Sequence, residues 1–371
     1  MIKIISSSSR ILYGHIAKPI LFKNDPEKVH DTTVKLANFS KKHRPLRYAI
    51  NKSYAYNNPI LTQKIDGLDF KNPIGLAAGW DKDANTIGLM PSLGFGFAEV
   101  GSITKYAYAG NDGTRLWRLP KSKSILVYYG LKNEGVDIIA PRIKSQPVPI
   151  IVGTNIARTN SKDCSDDAVS IEDYAYSFEK LAKIGDYFTV NISCPNTFGG
   201  QPFHDKKRLE ALLIELDKIP TKKPVYIKVS PDISLAERQN IARLSFKHNV
   251  QGFICGNLTK SRENHSIRDS GIPDFGGMSG MVVQKLSDEL VSDMYQLTKG
   301  RKTIIGLGGV FTAEDAYRKI KLGASLVQML TGLIYQGPQV VGQINYDLSK
   351  LIQKDGYDNI SDAIGSQTKD S

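Results

Sequence analysis

An alternation runs through this chain from residue 60 onward. Short apolar or β-branched runs take turns with longer amphipathic stretches of helical period. Eight runs read as strands: residues 73–78, 97–101, 149–155, 187–191, 225–229, 252–255, 303–306 and 326–329. Helical patterns lie between most of them, as at 171–182, 207–216, 234–246, 283–298 and 313–322. Eight strand–helix units in succession predict an α/β fold, a (β/α)8 TIM barrel. The competing open, doubly wound sheet carries a G-x-G-x-x-G after its first strand, and none follows the first strand here.

Three connections are long: 104–138, 194–207 and 257–281. Each follows a strand, so each falls on the carboxyl-end face, where barrels build their sites. Residues 1–46 read as a small, basic N-terminal helical extension. Ile11, Leu12, Ile16, Ile20 and Leu21 recur at helical spacing, and Asp25-Pro26-Glu27 opens a second helix over 26–39. Two short, basic, amphipathic helices fit a membrane surface; the alternative is a plain cap on the barrel. The barrel is expected over 47–352, and 353–371 as a polar, loosely ordered tail.

Composition closes off other classes. The 371 residues suit one large domain with an appendage, and 41% hydrophobic residues support a real core. Three scattered cysteines give no disulfide framework and no CxxC metal pattern, which fits a reducing compartment and predicts no metal. The charge of +12 comes from Lys scattered along the chain, without a basic tract interleaved with aromatics, so no nucleic acid partner is expected. No apolar run reaches the ~18 residues of a membrane span. The start lacks a continuous apolar segment, so no signal peptide is expected.

The strand ends carry polar groups. GLAAGWDKDA at 75–84 exposes backbone at Ala78 and Gly79 and brings in Lys82, which reads otherwise as a surface Lys paired with Asp81 or Asp83. Ser102, Asn155, Asn191, Lys228 and Asn257 stand at the ends of strands two to six. Polar groups converging there without a ligand would be costly. Glycines after the last two strands, at Gly306–Gly309 and around Thr331, match the usual barrel phosphate site, and the run 276–280 adds more. TVNISCPNTFGG, 189–200, sets one thiol, Cys194, between two amides, Asn191 and Asn196.

NPIGLAAGWDKDA, FGFAEVGSIT, NISCPNT, IIGLGGV and GASLVQMLTG together resemble the dihydroorotate dehydrogenase family, over about Asp25 to Gln339. LFKNDPEKVH and RLWRLP look like its quinone-linked, membrane-associated class. The resemblance implies a flavin oxidoreductase acting on a CH–CH bond. It implies FMN held by Ala78, Gly79, Lys82, Ser102, Asn155, Asn191, Lys228, Gly256, Gly280, Gly309, Leu330 and Thr331. It implies dihydroorotate held by Lys82, Asn191, Asn196 and Asn257, with the C5 proton going to Cys194 and the C6 hydride to the flavin. His30 and Arg118 match polar positions of a quinone tunnel. The implied setting is UMP synthesis, peripheral on the cytoplasmic face of a bacterial inner membrane, with the mitochondrial inner membrane as the alternative.

Two departures stand out. The base position is Cys194, where the quinone-linked class usually has Ser and the soluble class Cys. A thiol is the more acidic, so Cys is expected to ionise with less help. Val127 stands where the family has an Asn that bonds the substrate, and Leu258 where a hydroxyl residue is usual. Asn133, the adjacent tyrosines or Gln201 would have to compensate. Otherwise the barrel oxidises another cyclic amide or imide, or is a non-catalytic flavin-binding scaffold.

Overall fold

The computed structural model describes residues 8–146 and 148–368. Eight parallel strands close into a barrel: β1 (Ile74–Leu76), β2 (Phe97–Ile103), β3 (Ile151–Ile156), β4 (Tyr187–Asn191), β5 (Val225–Val229), β6 (Gly252–Cys255), β7 (Thr303–Leu307) and β8 (Leu326–Met329). Neighbours in sequence are neighbours in space, and β8 returns to β1 through Val327↔Ile74 and Met329↔Leu76. Helices cover the outer face of the strands and the packed barrel interior buries the inner one, which is why the strands read as near-continuous apolar runs. The expected (β/α)8 barrel is what forms.

Ahead of the barrel come α1 (8–23, with a π turn at Tyr13–Ala17), α2 (Pro26–Lys42) and α3 (Arg44–Tyr54). Asp25 caps α2 by accepting from the Lys28 amide at 2.9 Å, with Pro26 in the first turn. The expected second helix thus continues past residue 39. The expected boundary at 46/47 falls inside α3, so helix extends to Tyr54. Residues 1–7 of the expected extension lie outside the described residues.

Around the barrel follow α4 (Val136–Lys144), α5 (Asp167–Leu181), α6 (Lys206–Asp217), α7 (Leu235–Ser245), α8 (Gln284–Leu297), α9 (Ala313–Lys321), α10 (Thr331–Gln336) and α11 (Val340–Lys354). After β1 a 3-10 segment, Ile87–Leu93, replaces the helix; Pro91 sits within it.

A hairpin, Gln63–Ile65 with Leu68–Phe70, turns through Asp66-Gly67, both with positive φ. It stoppers the amino end of the barrel: Phe70 joins Phe97, Tyr187, Tyr226, Ile254, Ile305 and Leu326 in one buried cluster. At the other end two long connections make an antiparallel sheet, in the order Gly277–Gly280, Ser124–Val127, Leu116–Leu119.

The described part of the tail, to Thr368, does not stay loose; residues 369–371 lie outside the described residues. Asn359 caps a 3-10 turn at Ile360–Ala363, and Ile360 and Ala363 are fully buried in the main core. The Gln367 amide donates to the Lys321 carbonyl at 2.8 Å. Two apolar pegs in an otherwise polar segment are enough to dock it.

Candidate functional site

The carboxyl ends of the strands, the antiparallel sheet and α2 enclose one cavity holding about 1240 Å3 of atom-free space, its open mouth included. Its wall includes Ala78, Gly79, Lys82, Ser102, Asn191, Cys194, Asn196, Lys228, Asn257, Gly280, Gly309, Leu330 and Thr331, and also His30, Val127 and Leu258. Most of the residues expected at a site therefore converge. Asn155, Gly256 and Arg118 do not line it.

Each of these three has an evident reason. Asn155 sits one layer lower, bonded to Ser102 Oγ and donating to Glu99 at 2.8 Å. Gly256 lets β6 pass close to β7: a Cβ there would lie 1.8 Å from the Leu307 carbonyl. Arg118 donates to the carbonyls of Phe22 (3.3 Å) and Asn24 (2.7 Å) and stacks over the Phe22 ring. It pins the end of α1 to the sheet behind the cavity wall.

The amides are held from below. Asn191 and Lys228 pair in register on β4 and β5. Asn191 donates to Ser102 Oγ at 2.8 Å, and Asn257 donates to Ser193 Oγ at 2.7 Å. Asn196 donates to the Val127 carbonyl at 2.8 Å, and its own side-chain oxygen is buried without a partner. Such an oxygen is costly unless a ligand or water meets it.

Beneath them lies a group that sequence reasoning passed over. Glu99 is completely buried inside the barrel and accepts from Asn155, Tyr187, Thr189 and Gln328, all at 2.8–3.1 Å. A carboxylate within the apolar run FAEVGSI is the signal that was there to read.

Two lysines reach the cavity with lowered pKa. Burial brings Lys82 to about 8, with Asp83 partly opposing the fall and Lys132 adding to it. Lys82 is not tied up in the DKD turn. Asp81 accepts the Asn85 and Thr86 amides, Asp83 accepts the Glu134 amide, and the ammonium lies 4.4 Å from the Tyr129 ring centre. Lys228 is lowered by burial, against the pull of Glu99 and Cys194. Its ammonium has no hydrogen bond among the described residues.

Burial pushes the Cys194 thiol up. The Asn196 amide and the charges of Lys228, Arg158 and Lys260 draw it back only in part. Desolvation outweighs its neighbours, so this thiol ionises less readily than a free one, while remaining more acidic than an alcohol at the same position. The loop after Cys194 is latched by Arg158, which donates to the carbonyls of Cys164, Phe198 and Gly200, and by Asn160, which accepts the Phe198 amide at 2.9 Å.

Of the residues expected to compensate for Val127, two are engaged elsewhere. Asn133 donates to Thr104 and the Leu131 carbonyl, and Gln201 donates to the Ser193 carbonyl. Tyr128 rests on Phe275. Tyr129 lines the cavity, its hydroxyl buried without a partner.

His30 lies between α2 and the Lys82 turn. Its Nε2 is 3.1 Å from the Trp80 carbonyl, which only an N–H satisfies. Burial and the nearby Lys82 bring its pKa down to about 4, against Asp31 and the Trp80 bond. The unfolded chain protonates this imidazole at about 6.5, so its contribution to stability is complete above that pH and falls toward pH 4. Melting curves of the wild type and His30→Gln should therefore diverge only below pH 6.5. Parallel behaviour down to pH 4 would mean a solvated ring.

The sequence model of the dihydroorotate dehydrogenase family matches residues 60–352. This chain belongs to that family. Among its relatives, a dihydroorotate dehydrogenase (quinone) of Trichodesmium erythraeum is 36% identical, covering 96% of this chain and 99% of that protein. One from Gloeobacter violaceus is 35% identical over 94% and 98%. Among solved structures, the ligand-free DHODH of Eimeria tenella superposes with a TM-score of 0.84 at 29% identity, covering 93% of this chain and all of that one. The same protein with ferulenol bound gives the same score.

Proposed function

We propose that this chain oxidises dihydroorotate to orotate with a quinone as acceptor, in UMP synthesis, using FMN. The observation that carries this reading is the convergence of Cys194, three amides and Lys228 on one cavity in a member of this family.

The wall fits a flavin mononucleotide. Lys228 presents an unpaired ammonium, and the Gly309 and Val310 amides have no protein acceptor among the described residues. Ala78, Gly79, Ser102, Asn191 and Lys228 would hold the ring system, and Gly280, Gly309, Leu330 and Thr331 the phosphate side. When bound, FMN supplies a two-electron acceptor for the C6 hydride and passes the electrons on to the quinone.

The chain's own residues do the rest. Asn191, Asn196, Asn257 and Lys82 hold and orient the ring. The Cys194 thiolate takes the C5 proton. The latched loop after it holds the thiol in place beside the amides.

The acceptor would come from the side of α1 and α2. Phe22, Leu116, Ile125, Leu330 and Ile334 give that side an apolar lining. Ile11, Leu12, Ile16 and Ile20 of α1 are each more than half exposed, which an ordinary packed cap would not leave. Basic helices with an outward apolar row support peripheral attachment to a bilayer. Among the described residues no helix is long and apolar enough to cross a membrane.

The test is spectroscopic. The purified protein should show a flavin absorbance that bleaches on anaerobic addition of dihydroorotate; an unbleached flavin refutes the reading. His30→Ala and Arg118→Ala should slow reoxidation by quinone and leave bleaching intact. Equal slowing of both half-reactions would count against an acceptor path past these residues.

A further inference from the structure

The wall beside Cys194 is hydrocarbon, although the rest of the pocket is rich in amides and ammonium groups. Strand Gly277–Gly280 runs between two neighbours. On one side Gly277 pairs with Val127. On the other, Met278 and Thr259 exchange backbone hydrogen bonds of 2.8 and 2.9 Å, which brings Leu258 alongside. Only a residue without a side chain fits between them. A Cβ on Gly277 would lie 2.6 Å from Leu258 Cβ and 3.2 Å from Pro195 Cγ. Val127, Leu258 and Pro195 thus close around one spot, next in sequence to the thiol. The Asn196 bond to the Val127 carbonyl fixes the Cys194 loop against this wall.

The wall is also the end of a longer apolar row. Val127 packs in one cluster with Ile125 and Leu116, on the way to Phe22 and Ile334. The side chains of Val127, Leu258 and Pro195 offer a ligand no hydrogen bond, whereas an alkyl group against them finds contacts and a direction in which to extend; the unpartnered polar atoms of this lining belong to Asn196 and Tyr129.

We propose that Val127 and Leu258 determine specificity, and that the site takes a dihydropyrimidine ring carrying an alkyl group at the carbon Cys194 deprotonates. This rests on the proposed dihydroorotate-type reaction and leaves its balance unchanged. The remaining C5–H gives its proton to Cys194, the C6 hydride leaves to the flavin, and a C5=C6 double bond forms.

The test compares dihydroorotate with 5-methyldihydroorotate by anaerobic flavin bleaching at subsaturating concentration. The wild type should reduce its flavin with the methylated ring at least as fast. Val127→Asn and Leu258→Thr should each shift the ratio about tenfold toward the unmethylated ring, the scale of one methyl group in an apolar pocket. If Val127→Asn does not fold, Leu258→Thr, a loop substitution, carries the comparison. A wild type that favours the unmethylated ring more than about tenfold, or ratios unmoved by the variants, overturns the wall and leaves the function standing. Bleaching by neither ring overturns both.

Discussion

Cys194→Ala retains its flavin and loses flavin reduction by dihydroorotate, by about 10²–10⁴-fold near neutral pH. The flavin stays because its proposed contacts come from other rims, chiefly Lys228, Gly309 and Thr331. Reduction falls because nothing takes the thiolate's place: the side-chain amides of Asn191, Asn196 and Asn257 are not basic, and Lys82, at about 8, is mostly protonated near neutral pH. The wild-type pH profile tests the same assignment independently. Burial raises the thiol pKa, and the working form is the thiolate, so bleaching should accelerate as pH rises past the usual thiol range. Cys194→Ser should be slower at every pH and still climbing where the wild type levels off. A Cys194→Ala protein that bleaches at close to the wild-type rate would remove this thiol from the mechanism.

The second large effect concerns stability. Glu99→Leu should cost about 3–5 kcal/mol in denaturant unfolding, the usual penalty for breaking a buried charge network. The substitution leaves four donors, on Asn155, Tyr187, Thr189 and Gln328, with no acceptor in a sealed interior. It also removes the charge that helps hold the Lys228 pKa up, so the Lys228 pKa falls further. Weaker flavin retention should accompany the loss of stability. Glu99→Gln keeps an acceptor and should lose less stability, while weakening flavin retention comparably. A Glu99→Leu protein within about 1 kcal/mol of the wild type would mean that water or a shifted side chain satisfies the four donors.

The barrel was legible because its strands are buried on both faces. That demand writes itself as eight separate apolar runs, most of them ending in a small or polar residue. The amides and the thiol were legible for the same reason, since they stand at the ends of those runs or within a few residues beyond them. The antiparallel sheet was not. Gly277–Gly280 reads GMSG, with almost no strand preference of its own, and it becomes a strand only because Val127 and Thr259 lie on either side. Helix α3 was missed because Arg44 and Pro45 look like a break, although Pro is well accommodated in a first turn. The tail misled through its composition, since docking depended on two residues, Ile360 and Ala363. For Cys194, residue type argued for an acidic thiol and burial argued the reverse, and no residue type reports its own desolvation.

Closing β8 onto β1 has a temporal consequence. The free edge of β1 must wait for a partner encoded about 250 residues downstream, from Leu76 to Leu326. At ribosomal rates of about 5–20 residues per second, that interval is roughly 10–50 s. The nascent chain therefore carries an open sheet edge, together with its exposed apolar α1, for most of its synthesis. Aggregation during translation, rather than instability of the finished barrel, is the hazard this topology sets for its production.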